Sequence, residues 1–409
     1  MYPPSKNDTV PNLPLILFLG GFRVGSDGTE GGQVYACRKL VDSPLSQHVR
    51  WHLVDSTQRS LPIPGIHIRA GDALRRVIAC LTCLLFRWPR SVLVFTNFSP
   101  LSLAEKGGIC ILSALLGRHV VISFRSFPKP PSRFQKLYNL LLQQVCNSCD
   151  RIVCQSRAAA DVLSEMVSVK ADKIKVIPNW FDFSDLEDAP QTKRTSDLDS
   201  IVSIVYVGWM REIKGLQFLL PAIKVLADRQ LPFRVTLCGG GDLLAQYQQQ
   251  CRDLGIADRV EFLGWVKQLQ VYAILKRSDI FILPSLLEGM PNALIQAQAV
   301  GLPVVATNVS SIPTLVANGA NGHLIEPGSV NAIVCALADL IGSPEDRTRM
   351  GENNRRQCRQ RHDIRVVWPR IAEILKIDTG DFVADTEEGV ALNQKSKEYK
   401  TKRCRKSQS

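Results

Sequence analysis

Short apolar runs, bounded by Gly, Pro and polar residues, recur along the whole chain. "LPLILFLGG" (13–21), "SVLVFTN" (91–97), "HVVISF" (119–124), "RIVCQS" (151–156) and "KIKVIPN" (173–179) are the first set. "SIVSIVYVG" (200–208), "FRVTLCGGG" (233–241), "RVEFLGWV" (259–266), "IFILPS" (280–285), "LPVVAT" (302–307) and "GHLIEP" (322–327) are the second. These runs are continuous rather than alternating, which predicts strands buried on both faces of a parallel sheet. Helix-period stretches such as "GLQFLLPAIKVLADR" and "LLAQYQQQCRDLG" lie between them. The pattern predicts an α/β protein with two doubly wound domains, residues 1–180 and 200–360, facing a central cleft. The polar, acidic stretch 181–199 reads as a linker. "VVWPRIAEILK" within 361–376 reads as a last amphipathic helix, and 377–409 reads as disordered tail.

Length agrees with two domains, since 409 residues exceed one ordinary core. The first residues are polar and Pro-rich, so no secretory signal is expected, and the ten-residue run "VIACLTCLLF" is too short to span a bilayer. Twelve Cys include two C-x-x-C pairs, Cys80/Cys83 and Cys146/Cys149, with no His nearby to complete a zinc set. They are expected to be buried free thiols of a cytoplasmic protein, with no metal.

The net charge of +12 is uneven. Residues 1–180 hold 22 Lys+Arg against 11 Asp+Glu, whereas 181–376 hold 21 of each. A basic first domain suits an anionic partner. "ALRRVIACLTCLLFRWPR" (73–90) is an apolar segment flanked by Arg75, Arg76, Arg87 and Arg90 and ending in Trp88. Such a segment suits an anionic lipid surface, here the inner face of the cytoplasmic membrane, and "RFQKLYNLLLQQ" (133–144) adds to it. Both segments also fit ordinary helices packed on a sheet. The basic residues are scattered and carry no aromatic-interleaved pattern, so nucleic acid is not expected.

Candidate chemistry gathers at strand-to-helix junctions, where free backbone N–H groups suit phosphate. Gly20–Gly21, Gly31–Gly32 and Gly239–Gly240–Gly241 mark such junctions, although tight turns also need Gly. In "VGWMREIKG" (207–215), Arg211 and Lys214 place two cations before a helix, suited to a diphosphate or simply to solvent. The most informative stretch is "LPSLLEGMPNALIQAQAVGLPVVAT" (283–307). Glu288 stands outside a strand's carboxyl end, where open α/β sheets bind ligand and a carboxylate can accept from sugar hydroxyls; an acid favoured by the dipole of the following helix start is the plainer alternative. Asn292, near the following helix start, is placed to cap it or to touch ligand.

The segments "KIKVIPNWFD", "YVGWMREIKG", "VTLCGGGDLL", "DRVEFLGWV", the run 278–316 and "NGHLIEPGS", in this order, resemble the retaining GT-B glycosyltransferases of family 4, the glycosyl transferases group 1. The resemblance spans about 13–376. It implies a GT-B fold and transfer of a hexosyl unit from a nucleotide-sugar, with no cofactor or metal, to a glycan or lipid-linked acceptor in cell-surface polysaccharide or glycolipid assembly. It gives Glu288 the transferred sugar and Lys214 the donor diphosphate, with Arg211 as the second catalytic cation. Gly21, Gly240, Gly289, Met290, Pro291 and Asn292 line the donor. A second Glu of the family, which contacts the ribose, is replaced by Gln296; the amide still accepts a hydroxyl proton but loses the charge. Trp209 stands where many relatives carry Arg. Arg125 stands where many carry His; it suits a phosphate of acceptor or donor and cannot act as a base. These three departures keep open a second expectation, a GT-B-fold partner protein that binds a nucleotide-sugar or docks on a membrane without turnover.

Overall fold

The computed structural model describes residues 13–25, 30–57, 65–128, 135–190 and 201–379. The first domain is built on β1 (Leu15–Gly20), β2 (Arg50–Asp55), β3 (Ser91–Thr96), β4 (His119–Phe124), β5 (Arg151–Cys154) and β6 (Ile174–Val176), all parallel in the order β2-β1-β3-β4-β5-β6. All six residues of β3 are buried, as expected for a central strand covered on both faces. One face is covered by α1 (Gly32–Asp42). The other carries α2 (Ile66–Thr82), α3 (Pro100–Leu115), α4 (Gln135–Ser148) and α5 (Arg157–Met166). Only β2 lacks a counterpart among the expected strands. It is an edge strand with Arg50, His52 and Asp55 half-exposed, so its apolar run is broken.

The chain then passes through a short turn, α6 (Ser184–Glu187), into the second domain. There β7 (Val202–Val207), β8 (Phe233–Cys238), β9 (Val260–Gly264), β10 (Ile280–Leu283), β11 (Val304–Thr307) and β12 (Gly322–Ile325) form a parallel sheet in the order β12-β11-β10-β7-β8-β9. Helices α7 (Leu216–Asp228), α8 (Leu244–Asp253), α9 (Gln268–Lys276), α10 (Asn292–Val300) and α11 (Val330–Gly342) cover it. Strand order reverses between β7 and β10, so the carboxyl ends of these two strands form the crevice where an open α/β sheet receives its ligand.

Part of the expected linker is packed. Phe181 and Phe183 enter the second domain's core, and Asp185, Leu186 and Ala189 are buried. Lys39 on α1 pairs with Asp182 and Asp185, while the Tyr35 and Tyr272 hydroxyls donate to Asp185. The remainder of the linker reading, and the tail beyond 379, lie outside the described residues. The last helices are α12 (Pro344–His362) and α13 (Ile364–Ile374). The second returns to the first domain, where Val367, Trp368 and Ile371 pack with Ile16, Phe18 and Leu40. The Ser91 hydroxyl donates to the Leu375 carbonyl across 3.0 Å.

The two crossings run side by side. Phe181 N–H donates to the His362 carbonyl, and Ile364 N–H donates back to the Phe181 carbonyl. The buried His362 ring lies 2.7 Å, through Nδ1, from the Asn179 carbonyl, which fixes the proton on Nδ1. Burial lowers its pKa from the usual value to about 4. The unfolded chain therefore binds more protons between pH 6.5 and 4, so stability falls as pH drops through that window. The ceiling of the loss is about 3 kcal/mol. Melting temperatures at pH 7.5 and pH 5 check this. His362→Gln should remove the pH-dependent part, and an unchanged pH profile in that variant would count against the role.

All four C-x-x-C thiols are buried and free. Burial pushes Cys80 up to about 12 and Cys83 up to about 11, which keeps them as unreactive thiols.

Candidate active site

At the carboxyl end of β7 the chain turns through Gly208–Arg211 into a single 3-10 turn, Glu212–Lys214, and then Gly215. Gly215 is left-handed (φ 75°), which aims Lys214 back over the end of β10. The loop after β10 is held against it, since Leu286 N–H donates to the Ile213 carbonyl across 2.8 Å. Lys214 Nζ meets Glu288 Oε1 at 2.5 Å, and the fully buried Ser285 hydroxyl donates to the same oxygen at 2.7 Å. Side-chain exposure is 21% for Lys214 and 8% for Glu288. The two residues singled out independently in sequence therefore form one charge pair at the strand-order reversal.

Other expected residues are distributed around this pair. Arg211 stacks over the Trp209 ring at 4.4 Å and lies 3.9 Å from Asp242, so those two side chains hold it at the end of β7. Gly240 passes under Trp265, where a Cβ would come within 2.6 Å of the indole nitrogen. Trp209 and Trp265 meet edge to face at 4.7 Å, and Trp265 keeps an exposed surface. Gln296, one turn into α10, is buried, and its side-chain amide makes no hydrogen bond with the described residues. Pro291 is the residue before α10, which has no side-chain cap. The helix start thus leaves its N–H groups free for an anion.

Gly289–Asn292 also touch the first domain. A Cβ on Gly289 would lie 3.1 Å from Ser126 Cα and 3.3 Å from the Arg125 carbonyl, so the approach is backbone to backbone. Asn292 donates to the Gly32 carbonyl (2.7 Å) and accepts from Asn179 (2.6 Å). Both halves of its amide are thereby used between domains, not offered to ligand. Gly21 follows β1 in the opposite domain, where the next residue's N–H, that of Phe22, is held by Asp55 and Thr57. Ser156 and Ser311 hydroxyls meet across the cleft at 2.7 Å.

Asn179 was not singled out by sequence, yet it is the hub of this contact. Its amide donates to the Met290 carbonyl and to Asn292, and its oxygen accepts from Arg125 and Gln155. Its own carbonyl holds His362. Arg125 lies between Phe95 (4.6 Å) and Trp180 (4.9 Å), and burial lowers its pKa to about 10. Its Nη1 is buried without a hydrogen-bond partner. Beside it, Lys106 is buried with Nζ on the Phe95 carbonyl at 2.8 Å, and burial lowers it to about 8. Two cations thus sit behind the carboxyl ends of β3 and β4, and neither forms an ion pair with a carboxylate among the described residues. Among those residues, no three His, Cys, Asp or Glu gather as metal ligands.

Residues 193–357 match the family model described as "Glycosyl transferases group 1", and residues 84–185 match "Glycosyltransferase Family 4". The structure superposes on sucrose-phosphate synthase from Thermosynechococcus elongatus with TM-score 0.70 at 15% identity, covering 89% of this chain and 98% of that one. The fold is that of a GT-B glycosyltransferase. Anabaena HepE in complex with UDP and glucose shares this GT-B fold at TM-score 0.66 and 17% identity, with 89% and 99% covered. In sequence, the chain is 32% identical to the amylovoran biosynthesis glycosyltransferase AmsK of Erwinia amylovora, over 42% of this chain and 44% of that protein. It is 30% identical to the UDP-Gal:alpha-D-GlcNAc-diphosphoundecaprenol alpha-1,3-galactosyltransferase of Escherichia coli, over 54% and 58%. The chain spans about half the length of the curated relatives it matches.

Proposed function

We propose that this protein is a retaining glycosyltransferase that moves a hexosyl unit from a nucleotide-sugar to a lipid-linked glycan in polysaccharide or glycolipid assembly. The observation that carries this is the Lys214–Glu288 pair at the reversal between β7 and β10, beside the uncapped start of α10. The relatives named above, one acting on a diphosphoundecaprenol-linked sugar, support the acceptor class.

In this reading the donor diphosphate takes Lys214 Nζ, Arg211 and the α10 N–H groups, and Glu288 accepts from hydroxyls of the sugar. The bond from C1 to the phosphate oxygen breaks, and its electron pair stays on the departing diphosphate. The acceptor oxygen bonds to C1 from the same face, and its proton passes to the departing phosphate oxygen. Charge grows on the leaving group, so fixed cations aimed at it lower the barrier most. Lys214 and Arg211 supply that charge, and the transfer is proposed to run without metal or organic cofactor. The unpaired Arg125 Nη1 suits a phosphate oxygen of acceptor or donor. Gln296 serves the ribose as a neutral acceptor.

A second reading, binding without turnover, is favoured by Gln296 and by Arg125 being engaged with Asn179. Titration calorimetry with nucleoside diphosphates and nucleotide-sugars, followed by product NMR, separates the two. Lys214→Ala is expected to weaken nucleoside diphosphate binding 10- to 100-fold, from the loss of a charge-assisted bond of about 1.5–3 kcal/mol. Unchanged affinity would remove Lys214 from the donor site. An inverted product anomer would overturn retention, and donor binding without any turnover would favour the second reading.

A further inference from the structure

The outward stripe of α2 has an unusual composition for a helix of this kind. A helix packed on a sheet normally turns polar residues to solvent. Here the exposed positions include Leu74, Arg75, Ile78 and Leu85, the last beyond the helix end. The inward positions Val77, Cys80 and Leu84 are apolar as well, so apolar side chains stand on the outer face among Arg69, Arg75 and Thr82 as well as on the inner one.

The end of this helix is built to project. Cys83–Arg87 form a π-turn, closed by Trp88 N–H donating to the Cys83 carbonyl at 3.1 Å. Trp88 is left-handed (φ 50°), a conformation a bulky residue adopts only when its surroundings enforce it. Arg118 lies over its ring at 3.8 Å and is itself tied to the Leu116 and Pro89 carbonyls. The result leaves Phe86 82% exposed, flanked by exposed Leu85 and Trp88.

The rest of the layer continues this surface. Of the thirteen exposed large apolar side chains among the described residues, ten lie on α2, its π-turn with Trp88, α3 or α4, against three in the second domain. The exposed charges on the layer are Arg69, Arg75, Arg87, Arg90 and Lys136. Its acids are half-buried and engaged: Asp72 lies 3.9 Å from Arg75, and Glu105 forms a two-pronged pair with Arg76. No described helix is long and apolar enough to cross a membrane.

From this juxtaposition we infer that the α2–α3–α4 face docks on an anionic lipid bilayer, with Leu85, Phe86 and Trp88 entering the interfacial layer and the arginines around them meeting lipid phosphates. Apolar residues interleaved with arginine, rather than a plain apolar patch, match a surface that offers anionic head groups above acyl chains. The inference stands apart from the donor chemistry, which lies in the other domain.

The test is co-sedimentation of the full chain with vesicles of equal parts phosphatidylglycerol and phosphatidylcholine, and with phosphatidylcholine alone. Binding is expected to the anionic vesicles and to fall with added salt. Arg75→Glu/Arg87→Glu/Arg90→Glu should weaken it about 100-fold, at roughly one decade or less per charge. Leu85→Ser/Phe86→Ser/Trp88→Ser should weaken it at least about tenfold. Both variants should keep the wild-type nucleotide affinity, and their melting temperatures should fall by no more than a few degrees, through the lost Arg87–His52 and Arg118–Trp88 contacts. Equal binding to both vesicle types, no binding to either, or variants that bind like wild type would overturn the inference. So would a dimer that the apolar variant dissociates, because the face would then join two copies of the chain.

Discussion

Glu288→Ala is expected to lower sugar transfer by about 10²–10³-fold while leaving nucleoside diphosphate affinity within a few-fold of wild type. The split follows from the geometry. Glu288 is held by Lys214 and by Ser285, so its carboxylate is oriented before any ligand arrives. In the proposed complex it meets only the sugar, whereas Lys214 meets the diphosphate. Removing the carboxylate strips orientation from the reacting carbon and leaves the cation for the nucleotide. Stability should change little by comparison. Lys214 retains some exposure and can take water, so the cost is about 1–2 kcal/mol, or a few degrees in melting temperature. Glu288→Gln sharpens the test. The amide oxygen can still accept from Ser285 and Lys214, so the melting temperature should recover while transfer does not. If Glu288→Gln transfers at the wild-type rate, the carboxylate charge has no part in the reaction. If Glu288→Ala loses nucleoside diphosphate binding as completely as Lys214→Ala, the pair acts as one structural unit and the division of roles fails.

The sequence made this pair legible because each member lies in a local pattern, a cation before a helix and an acid after a strand. The strands were legible for the same reason: β1 and β10 are continuous apolar runs, as buried parallel strands demand. What stayed hidden depends on distance along the chain. Asn179 meets Met290 and His362 at separations of 111 and 183 residues, and nothing in "VIPNW" announces a hub between domains. Asn292 was legible as a residue near a helix start, but not as one whose amide is occupied by Gly32 and Asn179. β2 was missed because an edge strand tolerates Arg50 and His52. The stretch 181–190 looked like linker by its acids, yet Phe181 and Phe183 are core residues, and Asp185 is neutralised by Lys39 from another element. The apolar run 73–90 was visible as such. Only the structure shows that its side chains point both inward and outward.

Gly215→Ala is expected to be among the most damaging single methyl additions in the second domain, alongside Gly239→Ala. At φ 75° an L-residue is already disfavoured by about 1–2 kcal/mol. The larger obstacle is contact: the new Cβ would lie 1.9 Å from the Pro284 carbonyl oxygen and 2.8 Å from its carbon. Both are backbone atoms at the end of β10, and they cannot swing aside as a side chain could. The neighbouring segment is pinned as well, since Leu286 N–H bonds to Ile213 and the Ser285 hydroxyl to Glu288. Relief therefore requires moving the turn that carries Lys214 away from the loop that carries Glu288. We expect a melting temperature lower by about 10 °C or more, or failure of the domain to fold, consistent with a cost above about 4 kcal/mol. Nucleoside diphosphate binding should be lost with it. Two other glycines calibrate the result. Gly255 is also left-handed (φ 66°) but has open space around its Cβ position, so Gly255→Ala should cost only about 1 kcal/mol. Gly71 lies inside α2 with nothing within 4 Å, and there alanine should be neutral or stabilising by up to about 1 kcal/mol. A Gly215→Ala protein that melts within about 2 °C of wild type and still binds nucleotide would show that the two loops are not in backbone contact. The proposed coupling of Lys214 to Glu288 would then lose its structural basis.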